Sequence, residues 1–167
     1  MSEFPEPRGG ESDPATLFAR YLDFYRETVI RKTLSLSHEA QRTSLLPSAW
    51  TPLEMLSHLA HMEQRWMVWG FLGEDVAEPW GDRRDHRWHV PADRPTADVV
   101  AMLRAVGEKT TALLAAHSLA DIAPPGPRFE HEPPALSWLC FHVLQEYARH
   151  AGHLDVAVEL AGGEVGE

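Results

Sequence analysis

The stretch His142-Val143-Leu144-Gln145-Glu146-Tyr147-Ala148-Arg149-His150-Ala151-Gly152-His153 concentrates side chains that bind transition metals. An α-helix advances about 100° per residue, so Glu146 lies at about 40°, His150 at about 80° and His153 at about 20° from His142. All four share one narrow side, and residues four apart stand close enough to share an ion. Neutral imidazoles and a carboxylate are suitable ligands for zinc, nickel or iron. A solvated helix face can show the same spacing. Here, however, apolar residues flank the strip: Val143, Tyr147 and Leu154 beyond His150, Trp138 and Val156 beyond His142. The strip therefore reads as half-buried, where such groups are costly unless paired or metal-bound.

One helix cannot wrap an ion, so a second must contribute. Glu54-Met55-Leu56-Ser57-His58-Leu59-Ala60-His61 offers Glu54, His58 and His61. His58 falls between Leu56 and Leu59 in an apolar run, and His61 is displaced from it by about 60° around the helix. Two ligands from one helix and one from another would leave a position for water or substrate, as catalytic zinc sites do. Spacing alone leaves the choice among these residues open.

Four helices are expected to position them. Asp13 and Pro14 suit the cap and first position of a helix carrying Leu17, Phe18, Tyr21, Leu22, Tyr25 and Val29 and ending near Leu34. A short extra turn begins around Ser37. Thr51-Pro52-Leu53-Glu54 reads as a capping box opening helix 2, which stops near Gly73. Thr96 is the expected cap of helix 3, which carries Val99, Leu103, Val106, Thr110, Leu113 and Leu114 and ends near His117. Helix 4 runs from about Ala135 to Leu160 and stops at Gly162-Gly163. The irregular stretch from Gly73 to Pro95 is longer than most connections, and its tryptophans suggest a loop folded back onto the domain. The proline-rich stretch from Ala123 to Pro134 cannot be helical throughout. No two-residue alternation predicts a sheet. The expected fold is all-α, a four-helix bundle with long connections after helices 2 and 3. Residues 1–12 form a flexible leader, 13–163 the bundle and 164–167 a tail.

Composition narrows the function. With 25 acidic against 15 basic residues among 167, formal net charge is −10, and no basic footprint for nucleic acid appears. No apolar run approaches the roughly 20 residues that span a bilayer, and the first ten residues lack a signal-peptide pattern, so a cytoplasmic protein without membrane contact is expected. A single cysteine, Cys140, excludes an internal disulfide and a Cys-based zinc cluster; it sits in an apolar run and reads as buried. Trp66 and Trp69 read as core or dimer contacts, Arg65 and Arg149 as surface ion pairs, and His86 and His89 as exposed loop residues.

Trp50-Thr51-Pro52 with Ser57-His58-Leu59-Ala60-His61-Met62-Glu63-Gln64-Arg65-Trp66, and Leu136-Ser137-Trp138 with residues 142–155, resemble the DinB-like superfamily of four-helix metalloproteins. Within it the chain looks closest to the actinobacterial mini-circle type branch and is related to the N-terminal domains of mycothiol-dependent maleylpyruvate isomerases. The resemblance runs from about Asp13 to Gly163. It implies one histidine from helix 2 and an i, i+4 pair from helix 4 as ligands, hence His58, Glu146 and His150. Glu146 stands where many members carry histidine, as in the maleylpyruvate isomerase branch. Members often continue with Arg-Gly-Gln, whereas here Ala151-Gly152-His153 follows. His153, together with His142 and His61, is left as a hydrogen-bonding partner of the ligands or an alternative ligand. The resemblance further implies a divalent transition metal, zinc foremost and nickel or iron otherwise. The metal would activate a low-molecular-weight thiol for transfer to, or isomerisation of, a small-molecule substrate, in a homodimer. The alternative is a non-catalytic metal-binding or structural homodimeric bundle whose polar strip is a hydrogen-bonded network.

Overall fold

A computed structural model describes residues 6–164. Helix α1 spans Pro14–Leu34, and the Asp13 carboxylate accepts hydrogen bonds from the Thr16 amide at 2.8 Å and its hydroxyl at 2.7 Å. A single 3-10 turn follows at Ala40–Arg42. Helix α2, Pro52–Glu63, opens with the reciprocal box anticipated from sequence: the Glu54 amide donates to the Thr51 hydroxyl and the Thr51 amide to the Glu54 carboxylate. Helix α3 spans Thr96–Ala116 and α4 Leu136–Leu160. Gly162, at φ +75°, closes α4 as its amide and that of Gly163 bond back to Glu159 and Val158 carbonyls. The chain is thus an all-α bundle, and no helix among the described residues is long and apolar enough to cross a membrane. Of the leader, residues 1–5 lie outside the described residues; Glu6 accepts a hydrogen bond from the Tyr21 hydroxyl. Of the tail only Glu164 is described, paired with Arg31.

Helix α1 packs against α3 and α4, and so does α2, which places α1 diagonal to α2 and α3 diagonal to α4. Each sequential pair α1–α2 and α3–α4 must therefore be joined across the bundle. That explains the long segments 35–51 and 117–135; the first is bounded in the sequence by the end of helix 1 near Leu34 and the box at Thr51, although only the connections after helices 2 and 3 are counted there as long. The core between the helices is built from Leu22, Val29, Leu56, Leu59, Leu103, Leu139, Val143 and Leu154, all fully buried.

Three local features depart from expectation. Thr96 is the first residue of α3 rather than its cap; Pro95 occupies the cap position, and the Thr96 hydroxyl donates to Gln41. Helix 2 does not stay α-helical to its end. Gln64–Phe71 is wound as a π-helix, whose closing Leu72 amide bonds five residues back to Met67. The wider turn brings Gly70 against the Phe129 ring, where an added Cβ would stand 2.8 Å from a ring carbon. Finally, a small antiparallel hairpin is present where no sheet was expected: β1, Arg83–Arg84, pairs with β2, Arg87–Trp88. Asp85 and His86 both have positive φ, as a two-residue type I′ turn requires, although neither is the usual glycine.

A charged knot is buried between α1, α2 and α4. Arg26 donates through Nε and Nη2 to Glu63 at 2.9 and 2.8 Å, Tyr147 donates its hydroxyl to Glu63 at 2.6 Å, and Asp23 pairs with Arg26. Burial alone would lower the Arg26 pKa, but the Glu63 carboxylate outweighs it and raises it, so the guanidinium stays charged. Burial, reinforced by the Glu63 charge, raises Tyr147 well above its ordinary range and keeps it a donor. Gly107 on α3 presses on this knot; a Cβ there would lie 2.7 Å from Arg26 Nε. Alanine in mid-helix gains about 1 kcal/mol over glycine, whereas overpacking costs about 1–3 kcal/mol. Arg26 is fixed by two bonds to Glu63 and cannot swing aside. Gly107→Ala is therefore expected to lower the urea midpoint, by about 1 kcal/mol in net stability; a raised midpoint would mean that Arg26 yields.

Candidate metal centre

His58 on α2 and Glu146 and His150 on α4 face one another across the α2–α4 interface. Each offers one ligand atom, and these atoms lie within 4.8 Å of one another. The Glu146 carboxylate is 3.3 Å from His150 Nε2, and the His58 and His150 rings meet edge to face at 5.1 Å. His58 is buried, while Glu146 and His150 are half-buried, so the cluster is reached from one side of the bundle. The strip sits on the rim of the core: Val143, Tyr147 and Leu154 on its inner side are fully buried, whereas Trp138 and Val156 on its outer side are both 51% exposed.

The donor set suits a divalent transition metal. His58 Nδ1 is 2.8 Å from the Asp82 carboxylate, which accepts the ring proton and leaves Nε2 with its lone pair free. Burial foremost, with the nearby His58 ring adding to it, holds the His150 imidazole down at about 4, so it is neutral near neutral pH. His150 Nδ1 is buried and has no hydrogen-bond partner among the described residues, a costly arrangement for an imidazole with no further task. Two imidazoles and a carboxylate from two helices leave at least one coordination position for a water or substrate.

The remaining candidates separate by position. His61 is buried, with Nδ1 bonded to the Ser57 carbonyl and Nε2 packed against Gly81, outside the triad. His142 lies against Trp66, ring centroids 4.2 Å apart, and stacks on Trp138 at 5.2 Å. His153 is exposed, its ring 5.8 Å from that of His150. Cys140 is buried, which pushes its thiol up to about 12 and leaves it inert.

Two participants were missed in the sequence. Asp82, fully buried at the foot of the hairpin, accepts from His58 and from Arg65, whose guanidinium makes contacts of 2.7 and 3.2 Å. Arg65 is therefore a buried partner of Asp82 and of the Pro79 carbonyl, not a surface ion pair. Trp88 stacks on the His58 ring at 4.2 Å and 19° and touches the His150 ring edge to face at 5.4 Å. The loop thus folds back over the bundle as its tryptophans suggested, and the hairpin turn sets where Trp88 lands. No spacing rule connects His58 to a carboxylate 24 residues away in an irregular segment.

Burial alone would raise Asp82, but hydrogen bonds from His58 and Arg65 hold it at about 2 against an ordinary 3.8. A lowered carboxylate stabilises the fold above its ordinary pKa and loses that contribution as pH falls through the lowered one. The native chain is thus expected to shed the Asp82 contribution between about pH 4 and pH 2. Asp82→Asn should lack it throughout, and should weaken zinc binding about 10–100-fold in a chelator competition by releasing the His58 ring. Unchanged zinc affinity would show that Asp82 serves only Arg65.

The model of the mycothiol-S-transferase family matches residues 17–163. Among solved structures, a DinB-like protein from Bacillus cereus superposes with a TM-score of 0.66 at 16% identity, covering 91% of this chain and 95% of that one. A DinB-like protein from Bacillus subtilis gives a TM-score of 0.63 at 14% identity, with coverages of 90% and 96%. No curated protein sequence matches.

Proposed function

The chain belongs to the mycothiol-S-transferase family of the DinB-like superfamily, and on that premise we propose that it is a metal-dependent enzyme transferring a low-molecular-weight thiol of the mycothiol class to a small-molecule substrate. The observation that carries this reading is the convergence of His58, Glu146 and His150, with His58 oriented by a buried carboxylate. His58, Glu146 and His150 would hold the ion, zinc foremost. A bound divalent ion supplies Lewis acidity that favours a thiolate over a thiol at neutral pH. The protein's own groups prepare for it. Asp82 fixes the tautomer and ring plane of His58, Arg65 fixes Asp82, and Trp88 covers one face of the His58 ring against water.

Elemental analysis of the untagged protein before and after chelation tests the metal, and thiol consumption with a panel of electrophiles tests the reaction. About one divalent ion per chain, and thiol turnover lost on chelation and restored by metal, are the expected results. No metal and no uptake when it is supplied would overturn the reading.

A further inference from the structure

Although the chain is acidic overall, the outer side of the candidate centre carries arginines interleaved with aromatic rings. The Arg65 guanidinium lies 4.4 Å and that of Arg83 5.1 Å from the Trp80 ring centroid. The Arg128 guanidinium lies 4.1 Å from the Trp66 centroid, 5.7 Å from that of Phe129 and 6.0 Å from that of Trp80. These residues connect to the triad on both sides. Arg65 holds Asp82, which holds His58. Trp66 touches His142, one helical turn before Glu146, and His142 feels the charges of both Glu146 and Arg128.

The three arginines are not equivalent. Arg65 is neutralised by Asp82. Arg83 lies in the exposed hairpin. Arg128 is half-buried, and among the described residues no carboxylate pairs with it and its buried Nε has no hydrogen-bond partner. Burial and the Arg65 charge both disfavour its charged form. Its position is nonetheless fixed. Phe129, next in the chain, wedges onto Gly70 of the π-helix, and Trp66 from the same π-helix lies under the guanidinium. An ordinary surface arginine would turn its donors to water or to an acid. This one is stacked rigidly, short of an anion, and coupled to the residues that border the triad.

We propose that Arg128, on the platform of Trp66 and Trp80, is the recognition site for a carboxylate on the substrate, which is thereby a small organic acid with its reacting end toward His58, Glu146 and His150. A guanidinium edge presents donors in the fork that a carboxylate matches. Among the described residues, Arg128 alone of the three is both half-buried and without a carboxylate partner, and one such fork suits a monoanion better than a dianionic phosphate. The assignment of substrate class rests on the thiol-transfer reading; the anion site itself does not.

The test is a tryptophan-fluorescence titration of the zinc-supplemented protein with benzoate, benzamide and phenyl phosphate. Native protein is expected to bind benzoate about tenfold or more tightly than benzamide. Arg128→Gln should erase that preference while zinc affinity, measured by chelator competition, stays unchanged. Arg128→Lys, which keeps the charge and loses the fork, should retain only part of it and serves if the glutamine variant does not fold. Equal binding of benzoate and benzamide to native protein, or an unaltered preference in a folded variant, would overturn the proposal. Tighter binding of phenyl phosphate than of benzoate would overturn the choice of carboxylate. If the protein takes up no zinc yet shows an Arg128-dependent preference for benzoate, the anion site stands and the metal reading falls. Zinc uptake without that preference has the reverse meaning.

Discussion

Replacing His150 with alanine is expected to abolish stoichiometric metal binding and leave the bundle folded. Structural zinc sites with four protein ligands are worth about 10–16 kcal/mol, so one of three ligands carries a share on the order of 3–4 kcal/mol, roughly a hundredfold to a thousandfold in affinity. The fold has little to lose, because among the described residues the ring's buried Nδ1 has no hydrogen-bond partner and its Nε2 faces Glu146. Removing it relieves an unsatisfied polar atom and exposes no buried charge. Zinc per chain after exhaustive dialysis, with a thermal melt in chelator, separates the two effects. A His150→Ala chain that still held one zinc with native affinity would exclude His150 as a ligand and bring His153, 5.8 Å away, into the set. The same variant with its apo melting point collapsed would mean that the polar strip is structural.

The parts of this architecture that could be read from sequence are those set by neighbours within a turn or two. Asp13 and Thr51 accept from amides three residues on, and Gly162 donates its own amide to the carbonyl three residues back, so the starts of α1 and α2 and the end of α4 fall where those residues put them. The side of α4 carrying Glu146 and His150 follows from helical periodicity, and His58 follows from its place in the apolar run of α2. What decides the chemistry of His58 is not local. Asp82 and Trp88 reach it from a hairpin whose Asp85-His86 turn carries neither glycine nor asparagine, so the usual hairpin signal is absent. The π-winding of 64–71 also has no sequence mark, and the Phe129 ring that it brings against Gly70 comes from a segment 59 residues further on. Arg65 was read as a surface charge because periodicity shows only that a residue is polar; its 3% exposed side chain is tolerable only because Asp82 was folded in beside it.

Glu63 makes the same argument about buried charge on the other side of α2, and its replacement by alanine is expected to cost about 3–5 kcal/mol. The reason is what would be left behind. Arg26, with 3% of its side chain exposed, loses both the Nε and Nη2 bonds and keeps only Asp23 at the surface end, while the Tyr147 hydroxyl, fully buried, loses its acceptor. At about 2–4 °C per kcal/mol for a chain of this size, the melting point should fall by roughly 6–20 °C, which calorimetry would read directly. Replacing the pair together, Arg26→Met with Glu63→Leu, should recover most of that loss, because two apolar side chains leave no unpaired charge. The contrast distinguishes a net stabilising ion pair from one that is only costly to break. If Glu63→Ala melted within about 2 °C of the native chain, water would have to enter and solvate Arg26, despite the close approach of Gly107 to its guanidinium.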